Sequence, residues 1–304
     1  MAVTVKNAIE EFLIEQQIRG NSPRTHEYYR QNLGRFALFL PAERKYIDSV
    51  SLADCKGYYL RLACNPALAS STVQTYIRAV RAFLSWCFEQ RYLCQNIPER
   101  FKLPKAKRKA VDVLTDSEVL RLFSSFDLRT FTGVRNYCLC ALMYDSGLRL
   151  NEAITLESGN VHIAEGYIVV DGKGNKQRLV PIGLQSKKAL LRYTARAATG
   201  HDKTTLFVKD NLIPLRKSTI TNMFRKLKKQ TGISRLRPHL LRHTFATRYL
   251  RYGGDIYSLQ QILGHTSLEM VKRYLHLIPE NLVVSFAPYS PLDNVLRNQK
   301  SQRA

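Results

Sequence analysis

The sequence predicts a mostly α-helical protein of two domains, with one small antiparallel β-sheet confined to the second. Three observations predict it. Apolar residues recur at helical spacing through the first hundred residues and again from Gln185 to about Leu277. The period switches to two in one region, on either side of a glycine-rich turn at 171–176. Between the helical regions, residues 101–111 read Phe-Lys-Leu-Pro-Lys-Ala-Lys-Arg-Lys-Ala-Val, a stretch too basic to pack and broken by proline. At 304 residues the chain has room for two cores. The expected organisation is a helical domain at 1–100, a basic linker at 101–111, a second domain at 112–278 and a tail at 279–304.

In the first domain Val5, Ala8, Ile9, Phe12 and Leu13 form one helical stripe. Ser22-Pro23 is a helix start, a capping hydroxyl followed by proline at the first helical position. The helix it opens carries Tyr29, Leu33, Phe36, Ala37 and Leu40 and stops near Pro41. Ser51 opens a third helix through Leu62. Ser71 or Thr72 opens a fourth, with Val73, Ile77, Val80, Phe83, Leu84 and Cys87 inward.

The second domain begins at Thr115, which forms a capping box with Glu118 ahead of an apolar run. A long helix follows from about Thr132 to Asp145 and ends near Gly147. Residues 167–170 and 178–182 are strand-like, and 161–163 offers a third strand. Pro238 stands at or near the first turn of a helix bearing Leu240, Leu241, Phe245, Ala246 and Leu250.

Hydrophobic residues make up 45% of the chain, enough for a folded protein. No run approaches the roughly 20 apolar residues that span a bilayer, and the N-terminus lacks a signal-peptide profile, so an intracellular protein is expected. The six cysteines show neither metal-ligand spacing nor a Cys-x-x-Cys pair, which points to reduced thiols. The net charge is +23, and it is uneven. Residues 1–100 hold 13 Lys and Arg against 9 Asp and Glu, whereas residues 101–304 hold 34 against 15. An excess of that size favours a polyanion such as nucleic acid.

The residues from His239 to Tyr274 join a phenol to groups that hold a phosphodiester and move protons. His239 and Arg242, at i and i+3, share a helix face. Upstream, Arg149 offers the planar fork that grips two phosphate oxygens, with Glu152 three residues on to orient it. Lys173, at the tip of the turn, places an ammonium where it can enter a DNA groove and protonate a leaving oxygen. Lys176 and Arg178 are expected to contact phosphate, as are Lys105, Lys107, Arg108 and Lys109 of the linker.

Four segments carry a resemblance. They are Tyr-Asp-Ser-Gly-Leu-Arg-Leu-Asn-Glu (144–152), Gly-Lys-Gly-Asn-Lys-Gln-Arg (172–178), His-Leu-Leu-Arg-His-Thr-Phe-Ala-Thr (239–247) and Leu-Gly-His-Thr-Ser-Leu-Glu-Met-Val-Lys-Arg-Tyr (263–274). In this order, with His265 and Tyr274 nine residues apart, they resemble the tyrosine recombinases of the phage integrase family, in its compact Xer-like size class. The resemblance implies a C-shaped clamp on DNA, built from a helical SAM-like core-binding domain and a catalytic domain. It implies Tyr274 as the nucleophile that forms a 3′-phosphotyrosyl bond and frees a 5′-hydroxyl, with no ATP. Arg149 and Arg242 would hold the non-bridging oxygens, and Lys173 would be the general acid. His239 would assist proton transfer at the tyrosine and His265 would bond a phosphate oxygen. Glu152 would support the site from behind. Two arginines and a lysine would supply the charge that other phosphoryl-transfer enzymes take from a metal, so no cofactor or metal is expected.

The implied activity is site-specific recombination of double-stranded DNA through a Holliday junction, by a homotetramer in a bacterial cytoplasm. An accessory DNA-bending protein or a partner recombinase is compatible with it, and the tail after Pro279 would dock on a neighbouring protomer. Two other readings use the same residues: a type IB topoisomerase-like DNA-relaxing enzyme, and a catalytically silent DNA-binding regulator. The separate N-terminal module disfavours the first, and the full set of catalytic candidates disfavours the second.

Overall fold

A computed structural model describes residues 3–101, 112–172, 177–197, 205–264, 267, 268 and 271. The chain divides into two compact units, Met1–Lys109 and Ala110–Ala304.

The first unit is helical. Helix α1 (Val5–Ile18) starts where the Thr4 hydroxyl accepts the Asn7 N–H, and α2 (Pro23–Phe39) where Ser22 accepts the Thr25 N–H. A reciprocal box between Ser51 and Asp54 starts α3 (Leu52–Ala63). Helix α4 (Ser70–Glu89) starts a residue before the expected Ser71 or Thr72, behind an Ala69 whose side chain offers no cap. A short α5 (Ile97–Arg100) follows. The stripes named above close on one another. Phe12 sits edge-on to Tyr29, Phe83 and Trp86, with centroids 5.0, 5.7 and 5.5 Å away.

In the second unit the Thr115–Glu118 box opens α6 (Asp116–Ser124), and Arg235 grips the same Glu118 carboxylate at 2.6 and 2.7 Å. Helix α7 (Phe131–Asp145) is the central element: Cys138 to Met143 are all buried. A single-turn α8 (Leu150–Ile154) leads to strands β1 (Val161–His162), β2 (Tyr167–Asp171) and β3 (Gln177–Pro181), an antiparallel sheet in sequential order. Val170 pairs with Arg178, and Ile168, Val170 and Val180 face the core. Helices α9 (Leu184–Thr194), α10 (Lys217–Thr231), α11 (Pro238–Arg251) and α12 (Ile256–Leu263) complete the described elements.

The expected helical run from Gln185 is interrupted. Around 205–215 the chain is extended, bridging Glu157 to Thr205 and Val208 to Pro214, with Leu212 at φ +61° in the bend. Phe207 anchors this segment in the core. Cys55, Cys87, Cys138 and Cys140 are buried and Cys64 and Cys94 exposed, all as free thiols. Burial pushes the Cys55 and Cys140 thiols up to about 12, so they behave as small hydrophobes. Among the described residues no helix is long and apolar enough to cross a membrane.

Candidate functional site

Three segments far apart in sequence meet at one carboxylate. After α7 the chain turns through Gly147 at φ +64°. A Cβ there would lie 2.4 Å from the Phe245 ring on α11, so only glycine permits this approach. The turn makes Arg149 the N-cap of α8. Its backbone N–H donates to Glu152 Oε2 at 2.8 Å and its Nη1 to Oε1 at 2.7 Å. Arg178, from β3, donates to both oxygens of the same carboxylate, Nη1 to Oε1 at 3.0 Å and Nη2 to Oε2 at 2.8 Å. Arg242, one turn into α11, lies 4.0 Å from Glu152 Oε2.

The same three arginines cap α12. Arg178 Nε donates to the Ile262 carbonyl at 2.8 Å, Arg242 Nη2 to the Leu263 carbonyl at 2.8 Å, and Arg149 Nη2 to the Gly264 carbonyl at 3.4 Å. These are successive carbonyls at the negative end of a helix, where backbone acceptors lack intrahelical partners and cations are favoured. Gly264 ends the helix in the left-handed conformation at φ +61°. Arg242 also donates to the Gly147 carbonyl at 2.6 Å and is 4% exposed. Arg149 keeps 35% of its side chain exposed, the most open guanidinium of the three.

Burial alone would raise the Glu152 pKa. The hydrogen bonds and charge of Arg178, then those of Arg149, outweigh it and hold the carboxyl at about 2. One carboxylate among three guanidiniums leaves an excess of positive charge, which suits an anion. His239 lies at the exposed start of α11, and its pKa is lowered, first by partial desolvation and then by Arg242, Arg237, Lys217 and Arg149. The imidazole is therefore neutral at pH 7 and able to take a proton. Its titration midpoint, followed by NMR, is expected below 6.5. Because the fold disfavours the imidazolium, this residue's contribution to stability is present above 6.5 and lost as pH falls through the folded-state value. A midpoint at or above 6.5 would remove His239 from this cationic surround.

Of the residues singled out in sequence, Arg149, Glu152, Arg178 and Arg242 are brought into mutual contact, with His239 beside them. Arg178 requires a correction. It was expected on DNA phosphate, but its side chain is only 12% exposed and its donors are turned to Glu152 and Ile262. The signal was in the strand period, since Arg178 shares a face with buried Val180 while Gln177 and Leu179 are exposed. Lys173, Lys176, His265, Tyr274, the linker residues Lys105, Lys107, Arg108 and Lys109, and the tail after Pro279 lie outside the described residues.

Residues 112–281 match the phage integrase family, and residues 9–94 match the phage integrase N-terminal SAM-like domain. Tyrosine recombinase XerD of Staphylococcus saprophyticus is 31% identical over 293 residues, which span 93% of this chain and 98% of that protein. XerD of Oceanobacillus iheyensis is 29% identical, with the same coverage of 93% and 98%. Among solved structures, the Tn1549 transposon integrase in complex with a circular intermediate DNA aligns over 100% of both chains at 20% identity, with a TM-score of 0.74. The XerH recombinase bound to difH substrate aligns over 93% of this chain and 83% of that one at 21% identity, with a TM-score of 0.66. The last two likenesses speak to the fold.

Proposed function

The chain belongs to the phage integrase family as a tyrosine recombinase, an enzyme of site-specific DNA recombination, and from that premise we propose how its own residues divide the chemistry. The Tyr274 hydroxyl attacks the scissile phosphorus and gives up its proton to neutral His239. The bond from phosphorus to the 5′-oxygen breaks, and Lys173 protonates that oxygen. A 3′-phosphotyrosyl bond and a free 5′-hydroxyl result, and attack by a 5′-hydroxyl from the partner duplex reverses the step, so the phosphodiester energy is conserved. Arg149 contacts the non-bridging oxygens through its open fork. Arg242, buried beside it, adds a fixed positive charge, and His265 donates to a phosphate oxygen. Glu152 holds Arg149 in place.

The observation that carries this reading is the convergence of three guanidiniums on Glu152 and on the carbonyls of residues 262–264, directly before His265. Phosphoryl transfer asks little of a protein beyond positioning and charge, and a fixed cluster of guanidiniums supports this reading. The basic linker (Lys105, Lys107, Arg108, Lys109) and Lys176 track the phosphate backbone. Exchange of two strands at a Holliday junction calls for four protomers, and the tail after Pro279 docks between them; a DNA-bending protein or a second recombinase joins that assembly. The setting is the bacterial cytoplasm.

The test uses a nicked duplex carrying a site selected from random sequence for binding. The wild-type protein is expected to form a covalent adduct that survives a denaturing gel, because the short strand beyond the nick diffuses away and prevents religation. No adduct on a duplex that the protein demonstrably binds would overturn the reading.

A further inference from the structure

We propose that Arg178 is a positioning residue for strand cleavage: from the turn-proximal end of β3, the strand that follows Lys173 in sequence, it ties the β2–β3 hairpin to Arg149 and to the C-terminal end of α12. This rests on the roles given above to Arg149, Lys173 and Tyr274.

Arg178 is the second residue of β3 and pairs with Val170 at the turn end of the hairpin. Its guanidinium uses all three nitrogens on fixed acceptors belonging to two other elements. Two go to Glu152, the carboxylate that also holds the backbone and side chain of Arg149, and Nε goes to the Ile262 carbonyl of α12. One side chain therefore ties the hairpin, the phosphate-binding arginine and the end of α12 together. Gly264 supplies an independent sign of the fit. A Cβ there would lie 3.0 to 3.1 Å from the Arg178 Cδ, Nη1 and Cζ, so Gly264, the C-cap of α12, lies directly against this side chain. A lysine carries the charge but not the planar fork, and cannot reach both acceptors at once.

The experiment uses the full chain with Arg178→Lys, its selected duplex, and two nicked substrates. One has the natural 5′-oxygen at the scissile phosphate. The other has sulfur there, and a thiolate leaves without needing a proton. With the oxygen substrate, the single-turnover rate of adduct formation from prebound complex is expected to fall by about 10- to 100-fold, the scale of an ångström-sized misplacement. Affinity and its salt dependence are expected to stay at wild-type values. With the sulfur substrate most of that defect is expected to vanish, as it is for Lys173→Ala, whereas the defect of Arg149→Ala is expected to persist.

A DNA contact would behave differently, lowering affinity and reducing the salt slope by about 0.9 without slowing the bound complex; that result overturns the inference. So does a defect of full size on the sulfur substrate, or a wild-type rate on the oxygen one. Should Arg178→Lys fail to bind the duplex, Gly264→Ala, which keeps the arginine and crowds its guanidinium, carries the same comparison. Failure of the wild-type protein to form any adduct would strike the active-site reading itself. A wild-type adduct with a full-speed Arg178→Lys would strike only this inference.

Discussion

Tyr274→Phe is expected to abolish the covalent protein–DNA adduct, slowing its formation by at least about 10⁴-fold, the scale seen when an enzyme loses its nucleophile. Affinity for the same duplex is expected to stay unchanged, because binding draws on the Lys and Arg excess and not on one phenol. The chain has 16 tyrosines, and Tyr249, Tyr252 and Tyr257 lie within 25 residues of Tyr274. Tyr249 packs against Phe245, and its ring fills the space where a Cβ on Gly254 would sit. Tyr252 and Tyr257 are 79% and 61% exposed, on an outer surface. The guanidinium cluster instead grips the carbonyls of residues 262–264, and Tyr274 is the next tyrosine along the chain. A denaturing gel with the nicked duplex decides the matter: an adduct that survives the substitution moves the nucleophile to another residue.

The parts of this molecule that were legible in sequence are those whose cause is local. Ser22, Ser51 and Thr115 cap the helices that follow them because each hydroxyl meets an N–H three residues on, and that chemistry is written in adjacent letters. The glycine-rich turn and the flanking alternation likewise announced a hairpin. Where the cause is distant, the reading failed or was incomplete. The extended segment around 205–215 is held by a bridge to Glu157 and by the burial of Phe207, and its mostly apolar run does not by itself separate a strand from a buried helix. Helix α4 starts at Ser70 with no side-chain cap to mark the position.

The candidate site divides in the same way. Arg149 and Glu152 are three residues apart, and their contact follows from helix geometry. The bonds that make them a cluster span 84 residues from Arg178 to Ile262, 95 from Arg242 to Gly147 and 115 from Arg149 to Gly264. No local rule contains those pairs. What the sequence did contain for Arg178 was its parity on β3 with Val180, but a basic residue beside a glycine-rich turn on so positive a chain drew the reading toward DNA. Parity carried the structural information, whereas charge indicated only the class of partner.

Glu152→Gln should reveal how much of the fold and the chemistry hang on that one carboxylate. The substitution keeps size and an acceptor oxygen but removes the charge that Arg149 and Arg178 share and that Arg242 approaches. Taking one partner from a buried ion cluster leaves uncompensated charge and costs about 3–5 kcal/mol. The depression of the wild-type carboxyl points to the same size. That carboxyl is held at about 2 against an ordinary 4.5, and a gap of that width corresponds to about 3 kcal/mol. The sign follows from the depressed value: the contribution is fully present above about 4.5 and is lost as pH falls through about 2. Urea unfolding of both proteins should therefore show a gap of about 3 kcal/mol at pH 7 that closes between pH 4.5 and 2, where the wild-type carboxyl itself becomes neutral. Adduct formation should slow at pH 7 by about 10²-fold, since Arg149 loses the bonds that aim it. A stability gap that stays constant across that pH window would show that the carboxylate charge is not what binds the three arginines together.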